Sequence, residues 1–202
     1  MEQYVITIGR EYGSRGREIG EKLAKELKIG FYDKELLEIA AQRLETDVKS
    51  IQNEDENITN KVNAFLKTHK LVEHNNSKQD KLFMETKEVL LDKVKRESFV
   101  VIGRCADYIL KNAVNCLNVY IFAPKSNRIY RIKNEYGLTE ESATDIVDRV
   151  DKDRHSYYKH YTKCNRGERS NKQILIDSSL LGVDGTVEIL KEIVVKKFKL
   201  NQ

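Results

Sequence analysis

The 202-residue chain reads as an α/β protein built on a parallel sheet with helices on both faces. Three observations predict this. Five short apolar runs recur along the chain, each the length of a buried strand. The segments between them carry apolar residues at helical spacing. The first run ends in a glycine-rich turn that leads straight into a helix, which is the layout of a phosphate-binding loop.

The elements follow in order. YVITI (4–8) is the first buried strand, and REIGEKLAKELK (17–28) places Ile19, Leu23 and Leu27 on one helical face. IGFYD (29–33) is a second strand ending in an acid, and KELLEIAAQR (34–43) is helical again. Residues 44–77 turn polar and rich in Asn, Lys and Glu, which reads as a mobile insertion with a helix near 58–74. Residues 79–96 form an amphipathic helix with Leu82, Phe83, Val89, Leu90 and Val94 on its apolar stripe. SFVVIG (98–103) and LNVYIFA (117–123) are fully apolar strands, separated by the short helix CADYILKN. Pro124 opens a helix over 125–135. Thr139, with Ser142 three residues on and Glu140 and Glu141 in the first turn, caps the next one. QILIDSS (173–179) is the last strand and 183–197 the last helix. No internal repeat occurs.

Composition narrows the function classes. Hydrophobic residues make up 40% of the chain, enough for a core, and charged residues 34%, which gives a very polar surface. The formal net charge of +4 suits an enzyme of anionic substrates without implying nucleic acid. Cys105, Cys116 and Cys164 share no metal or disulfide spacing, which points to a reducing, cytoplasmic setting. No apolar run approaches the roughly 18 residues of a membrane span, and MEQYVITIG lacks the pattern of a signal peptide. His69, His74, His155 and His160 fall in pairs five apart, the wrong spacing for a shared helix face, and no nearby acid or thiol completes a zinc site. Neither a Ser-His-Asp arrangement nor a strand-borne GxSxG is present.

In an open parallel sheet, ligands bind beyond the carboxyl ends of the strands. At the first strand end lie Gly13, Ser14, Arg15, Gly16 and Arg17. Glycines let backbone N–H groups face an anion, and the following helix adds its positive end. The loop lacks the usual GxxxxGK[ST] lysine, so Arg15 or Arg17 is the candidate to supply that charge, with Arg17 preferred because it opens the helix. Ser14 is the nearest hydroxyl for a magnesium contact. Asp33 ends the second strand, and Arg104 follows Gly103 at the third. Farther on, DRVDKDRHSYYKHYT (148–162) packs Arg149, Asp151, Asp153 and Arg154 into two helical turns. A salt-bridged helix face is the commoner use of such a run; binding of ribose by the acid and phosphate by the arginine is the functional one. Tyr157, Tyr158 and Tyr161 suit core or hinge packing better than base stacking.

Taken together, these strand-end segments resemble the cytidylate kinase-like branch of the P-loop nucleoside monophosphate kinases. The matching pieces run in order through nearly the whole chain: ITIGREYGSRGREIGEKLAKEL, FYDKEL, VVIGRCADYI, NVYIFAPKSNRIYRI, RVDKDRHSYYKHYT and ILIDSSLLGVDGTVEIL. The resemblance implies one kinase-like domain over 1–202, of the P-loop three-layer fold, with a five-stranded parallel sheet. It implies a helical acceptor-binding insertion at 44–95 and a helical lid at 125–165. It implies ATP and Mg2+, and phosphoryl transfer to a small molecule, with CMP or dCMP the first acceptor to consider. Partners such as nucleic acid or a membrane are not expected. Gly13, Ser14, Arg15, Gly16 and Arg17 would hold the ATP phosphates. Asp33, Arg104, Asp151 and Arg154 would hold the acceptor. Arg17, Arg128, Arg131 and Arg149 would surround the transferring group. The sequence departs from the family pattern at the missing lysine, at Cys105 where cytidylate kinases carry an acid, and at Lys34 where they carry a small hydroxyl residue. Two other readings stay open: a nucleotide-binding sensor without turnover, and a kinase of a non-nucleotide small molecule. A third, a nucleic-acid binder using basic segments such as KEIVVKKFKL, fits less well, because that tail reads as the last sheet-covering helix.

Overall fold

In the computed structural model, residues 3–44, 76–112 and 115–200 are described. Five parallel strands, β1 (Tyr4–Arg10), β2 (Gly30–Tyr32), β3 (Phe99–Ile102), β4 (Asn115–Phe122) and β5 (Ile174–Asp177), lie in the order β2-β3-β1-β4-β5. The described helices are α1 (Gly16–Leu27), α2 (Glu35–Arg43), α3 (Asn76–Lys93), α4 (Ala106–Ile109), α5 (Lys125–Tyr136), α6 (Glu140–Thr162) and α7 (Ser178–Phe198). This is the α/β arrangement the apolar runs predict.

Side chains alternate across a strand, so each central strand feeds two cores. Ile6 and Ile8 of β1, with Val100 and Ile102 of β3, face α1 and α7 through Ile19, Leu23, Val187 and Leu190. Val5, Phe99 and Val101 point the other way, onto Leu36, Ala40, Val89, Leu90 and Leu110. Thr7 is the polar exception, and its hydroxyl is satisfied by Asn118 Oδ1 on β4 at 2.7 Å. A third, smaller core joins α5 to α6 through Ile132, Ala143, Ile146, Val147 and Val150, and includes Tyr12 from the loop after β1.

The far end of the stretch expected as an insertion, 44–95, packs on the sheet. Val89 and Leu90 of α3 are buried against the sheet, so this helix is part of the main core. The helix foreseen at 58–74 lies outside the described residues. The last helix begins at Ser178, but Gly182 is non-helical (φ 66°, ψ −167°), so its continuous body starts where the apolar spacing starts. The Thr139 cap forms, its Oγ1 accepting the Ser142 N–H at 3.2 Å.

The chain leaves β1 toward β2 on one side and crosses over it from β3 to β4 on the other. The crevice above β1 is therefore the switch point where such sheets bind ligands.

Candidate active site

The loop after β1 is braced from below. Glu11 donates its N–H to the Ile121 carbonyl at 3.0 Å. Ser14 Oγ donates to the carbonyls of Glu11 (2.9 Å) and Ile121 (3.2 Å), and Ser178 Oγ donates to the Ser14 carbonyl at 2.8 Å. Arg15, in the left-handed conformation, precedes α1, and no side chain caps that helix. The first N–H groups of α1 therefore lack intrahelical acceptors and carry the positive end of the helix dipole. That is a fit for phosphate oxygens. The expected magnesium contact is corrected: Ser14 is 1% exposed and its hydroxyl points into the protein. Among the described residues, no group of three or more His, Cys, Asp or Glu could hold a metal ion.

Helices α5 and α6 are latched to this loop. Gly13 has φ +82°, and a Cβ there would meet Arg128 Cβ at 2.9 Å, so α5 rests directly on the loop. Arg128 is 7% exposed and fully engaged. Its Nε donates to the Ala123 carbonyl and lies 3.1 Å from Glu11 Oε2, and its Nη1 reaches the Tyr12 carbonyl and Asp151 Oδ2 (2.6 Å). Asp151 also accepts the Tyr12 N–H at 2.9 Å and pairs with Arg166 at 3.4 Å. Arg128 and Asp151, expected around the transferring group and the acceptor, thus brace the loop against α5 and α6. Arg149 is exposed on α6 and does not line the cleft. Arg131 stays near the loop, its Nη1 donating to the Gly13 carbonyl at 3.3 Å, with Glu135 as counter-ion.

The cleft opens over the ends of β1 and β3. Thr7–Arg10, Gly103–Cys105, Asp153, Arg154, Tyr157 and Arg166 are among its lining residues. Arg104 and Arg154, expected to hold the acceptor, both line this cleft. Arg10 and Arg166 were not foreseen. Arg10 ends a strand, where a charged residue reads as the strand's solvent boundary. Arg166 lies in the motif-free segment CNRGER after α6.

Positive charge is in excess here. Arg10 has Asp33 as its acid, at 3.7 Å, and burial among Arg104, Arg166 and Arg17 pushes its guanidinium down to about 10. Arg154 is held well below its usual value by burial, then by Arg10 and Arg166, and its Nε is enclosed without a hydrogen-bond partner. Cys105 adds no compensating charge, because burial pushes its thiol up. Deeper in the cleft the charges balance: Lys172 pairs with Asp107, whose Oδ2 also accepts the Tyr158 hydroxyl at 2.9 Å. Excess cations packed without acids are stabilised by an anionic ligand.

Asp33 is buried and accepts from Arg17 Nε at 2.9 Å. Arg17 also pairs with Glu21 and lies over Phe31, while Arg15, half exposed, pairs with Glu18. Neither arginine proposed for the lysine's task points into the cleft's lining. The three tyrosines do pack: Tyr161 stacks on Phe83 at 3.9 Å and meets Tyr157 edge-on, joining α6 to α3.

Against known proteins, the Cytidylate kinase-like family matches residues 5–180. The chain belongs to this family. Among solved structures, an uncharacterized protein from Eubacterium ventriosum shares 25% identity over 95% of this chain and 98% of its own, with a TM-score of 0.72. Shikimate kinase from Bacteroides thetaiotaomicron aligns at 12% identity, 95% and 98% coverage and TM-score 0.54. Shikimate kinase from Acinetobacter baumannii, in complex with shikimate, aligns at 15%, 96% and 94%, and 0.50. At these identities the two shikimate kinases show the fold. No curated protein matches the chain. This cytidylate kinase-like protein is thus a member of a small-molecule kinase family, and no helix among its described residues is long and apolar enough to cross a membrane.

Proposed function

We propose that the protein transfers the γ-phosphoryl group of ATP to a small acceptor bearing an anionic group, a nucleoside monophosphate such as CMP or dCMP being the first to test. The observation that carries this reading is the pairing of an uncapped helix start at α1 with an arginine-rich cleft across the end of β1. In this reading the backbone of Gly13–Arg17 holds the donor phosphates, and Arg104 and Arg154 hold the acceptor's anion. An acceptor phosphate oxygen forms a bond to the γ-phosphorus as the bond to the bridging oxygen breaks, the electron pair leaving on ADP. That oxygen is already anionic, so no general base is needed. Catalysis is then positioning and charge neutralisation. Magnesium would enter bound to the nucleotide; since the Ser14 hydroxyl faces inward, no step is assigned to a protein-held metal.

Coupled ADP release with Mg-ATP against a panel of nucleoside monophosphates and non-nucleotide alcohols tests the reading. Turnover confined to CMP and dCMP supports it, and turnover with an alcohol alone moves the acceptor outside the nucleotides. Arg104→Ala and Arg154→Ala should each lower kcat/KM about 100-fold, as loss of a charge-assisted contact in a dry site implies. Full activity in both would remove the site assignment. The missing lysine and the inward Ser14 favour a second reading, nucleotide binding without turnover; ATP binding by calorimetry with no ADP formed from any acceptor would establish it.

A further inference from the structure

The cation that serves in place of the missing loop lysine is identified by where a side chain passes, not by its position in a motif. Arg10 is the last residue of β1. Its stem runs beneath the start of α1: a Cβ on Gly16 would come within 2.5 Å of Arg10 Cβ and 3.1 Å of its Cγ. Its guanidinium ends at the tip of β3, where a Cβ on Gly103 would collide with Nη1. Two glycines, one on the donor side and one on the acceptor side, thus clear the path of one charged side chain. Arg10 spans the gap between the helix that would hold ATP and the turn that would hold the acceptor.

The surroundings fix it there. The Arg10 carbonyl accepts from Arg166 and from Arg154 at 3.5 Å, and the side chain is 16% exposed. Its acid, Asp33, lies at 3.7 Å and already accepts a shorter bond, 2.9 Å, from Arg17. Arg10 is therefore a held, under-compensated cation, whereas Arg15 and Arg17 are about half exposed and paired with acids on their own helix.

We propose that Arg10 is the catalytic cation of this enzyme, contacting the phosphoryl group as it passes from donor to acceptor, in the role the loop lysine fills elsewhere. This rests on the phosphoryl-transfer reading above. Arg10 acts in transit more than in ground-state binding, so its removal lowers kcat and leaves the affinity for ADP nearly unchanged.

The test compares Arg10→Gln, Arg10→Lys and Arg17→Gln with the unaltered protein. Two readouts are used: coupled ADP release with Mg-ATP and CMP, and thermal stabilisation by Mg-ADP with CMP, with and without aluminium fluoride as a mimic of the phosphoryl in transit. Arg10→Gln should lose about 100-fold or more in kcat, the scale of removing one donor to a developing charge, while Mg-ADP binding stays within about threefold. It should also lose the added stabilisation from aluminium fluoride. Arg10→Lys should recover part of the rate, and Arg17→Gln should lose at most about tenfold. Circular dichroism checks that each variant is folded; if Arg10→Gln is not, Arg10→Met, which keeps an unbranched stem without the charge, takes its place under the same thresholds. Turnover of Arg10→Gln within about threefold of the unaltered protein would overturn the assignment. If the unaltered protein turns over no acceptor, the phosphoryl-transfer reading fails; fluoride stabilisation that depends on Arg10 would still place the residue at the phosphoryl position, and its absence would overturn both.

Discussion

Asp151 carries more connections than the sequence suggests. It joins the loop backbone at Tyr12, the buried Arg128 and the cleft residue Arg166. Removing the charge in Asp151→Asn leaves Arg166 without its acid and Arg128 with Glu11 alone. Its side chain is 22% exposed, so the loss should fall below the roughly 3–5 kcal/mol of a fully enclosed pair, at about 2–3 kcal/mol in urea unfolding. A loss under about 0.5 kcal/mol would mean solvent already screens the network. The cysteines give a second, simpler check. Burial pushes the Cys116 thiol up to about 12 and raises Cys105 as well, so both stay protonated at pH 8. The thiolate is the nucleophile, so Cys164 should be alkylated by iodoacetamide first, as peptide mass spectrometry would show. Early labelling of Cys105 would place a reactive thiol in the cleft and contradict its enclosure.

At the scale of elements, the strands and helices were legible because buried strands are continuous apolar runs and the helices keep one apolar stripe. The glycine-rich loop after β1 was legible because Gly13 and Gly16 mark close approaches, here to Arg128 and Arg10. What these glycines make room for was not legible. An arginine's destination depends on which elements the topology brings beside it, so Arg128, expected at the transferring group, braces the loop, and Arg10, given no role from the sequence, lines the cleft. The aromatic spacing on α6 predicted packing, and the partner is Phe83 on α3. This stack ties the far end of α6 to α3, beside the Tyr161 hydroxyl's bond to Asp80 and that of Tyr158 to Asp107. Phe83→Ala should speed amide exchange in residues 155–162 by about tenfold, with little change in α5, since a stacked pair contributes roughly 1–1.5 kcal/mol beyond area. Equal acceleration across α5 and α6 would show that the two helices open as one unit.

Over the whole molecule, a formal net charge of only +4 hides a strong local imbalance. Arg10, Arg104, Arg154 and Arg166 gather above one strand end, and the acids nearest them are shared with other cations: Asp33 between Arg10 and Arg17, Asp151 between Arg166 and Arg128, while Asp107 pairs with Lys172. Burial first, and then repulsion between the cleft cations, lowers the proton affinity of Arg10 and Arg154. The sign of the linkage follows. A cation whose folded value lies below its unfolded value binds fewer protons when folded, so above about pH 10 stability gains with rising pH from this group, and at neutral pH it is a cost of folding. An anion that binds the cleft removes that cost. Tripolyphosphate at about 100 times its Kd should stabilise the protein by about 2.7 kcal/mol, a rise in Tm of roughly 5–10 °C for a chain of this size. Sodium chloride at matched ionic strength should give only a small part of that rise, because screening reaches enclosed charges poorly. Arg154→Gln should blunt the response to tripolyphosphate while raising the Tm of the ligand-free protein, since it removes one member of a crowded cation set whose Nε has no partner. Differential scanning fluorimetry reads both. A ligand-free Tm that falls in Arg154→Gln, with the tripolyphosphate response intact, would show that the cluster is a structural network and that the anion binds elsewhere.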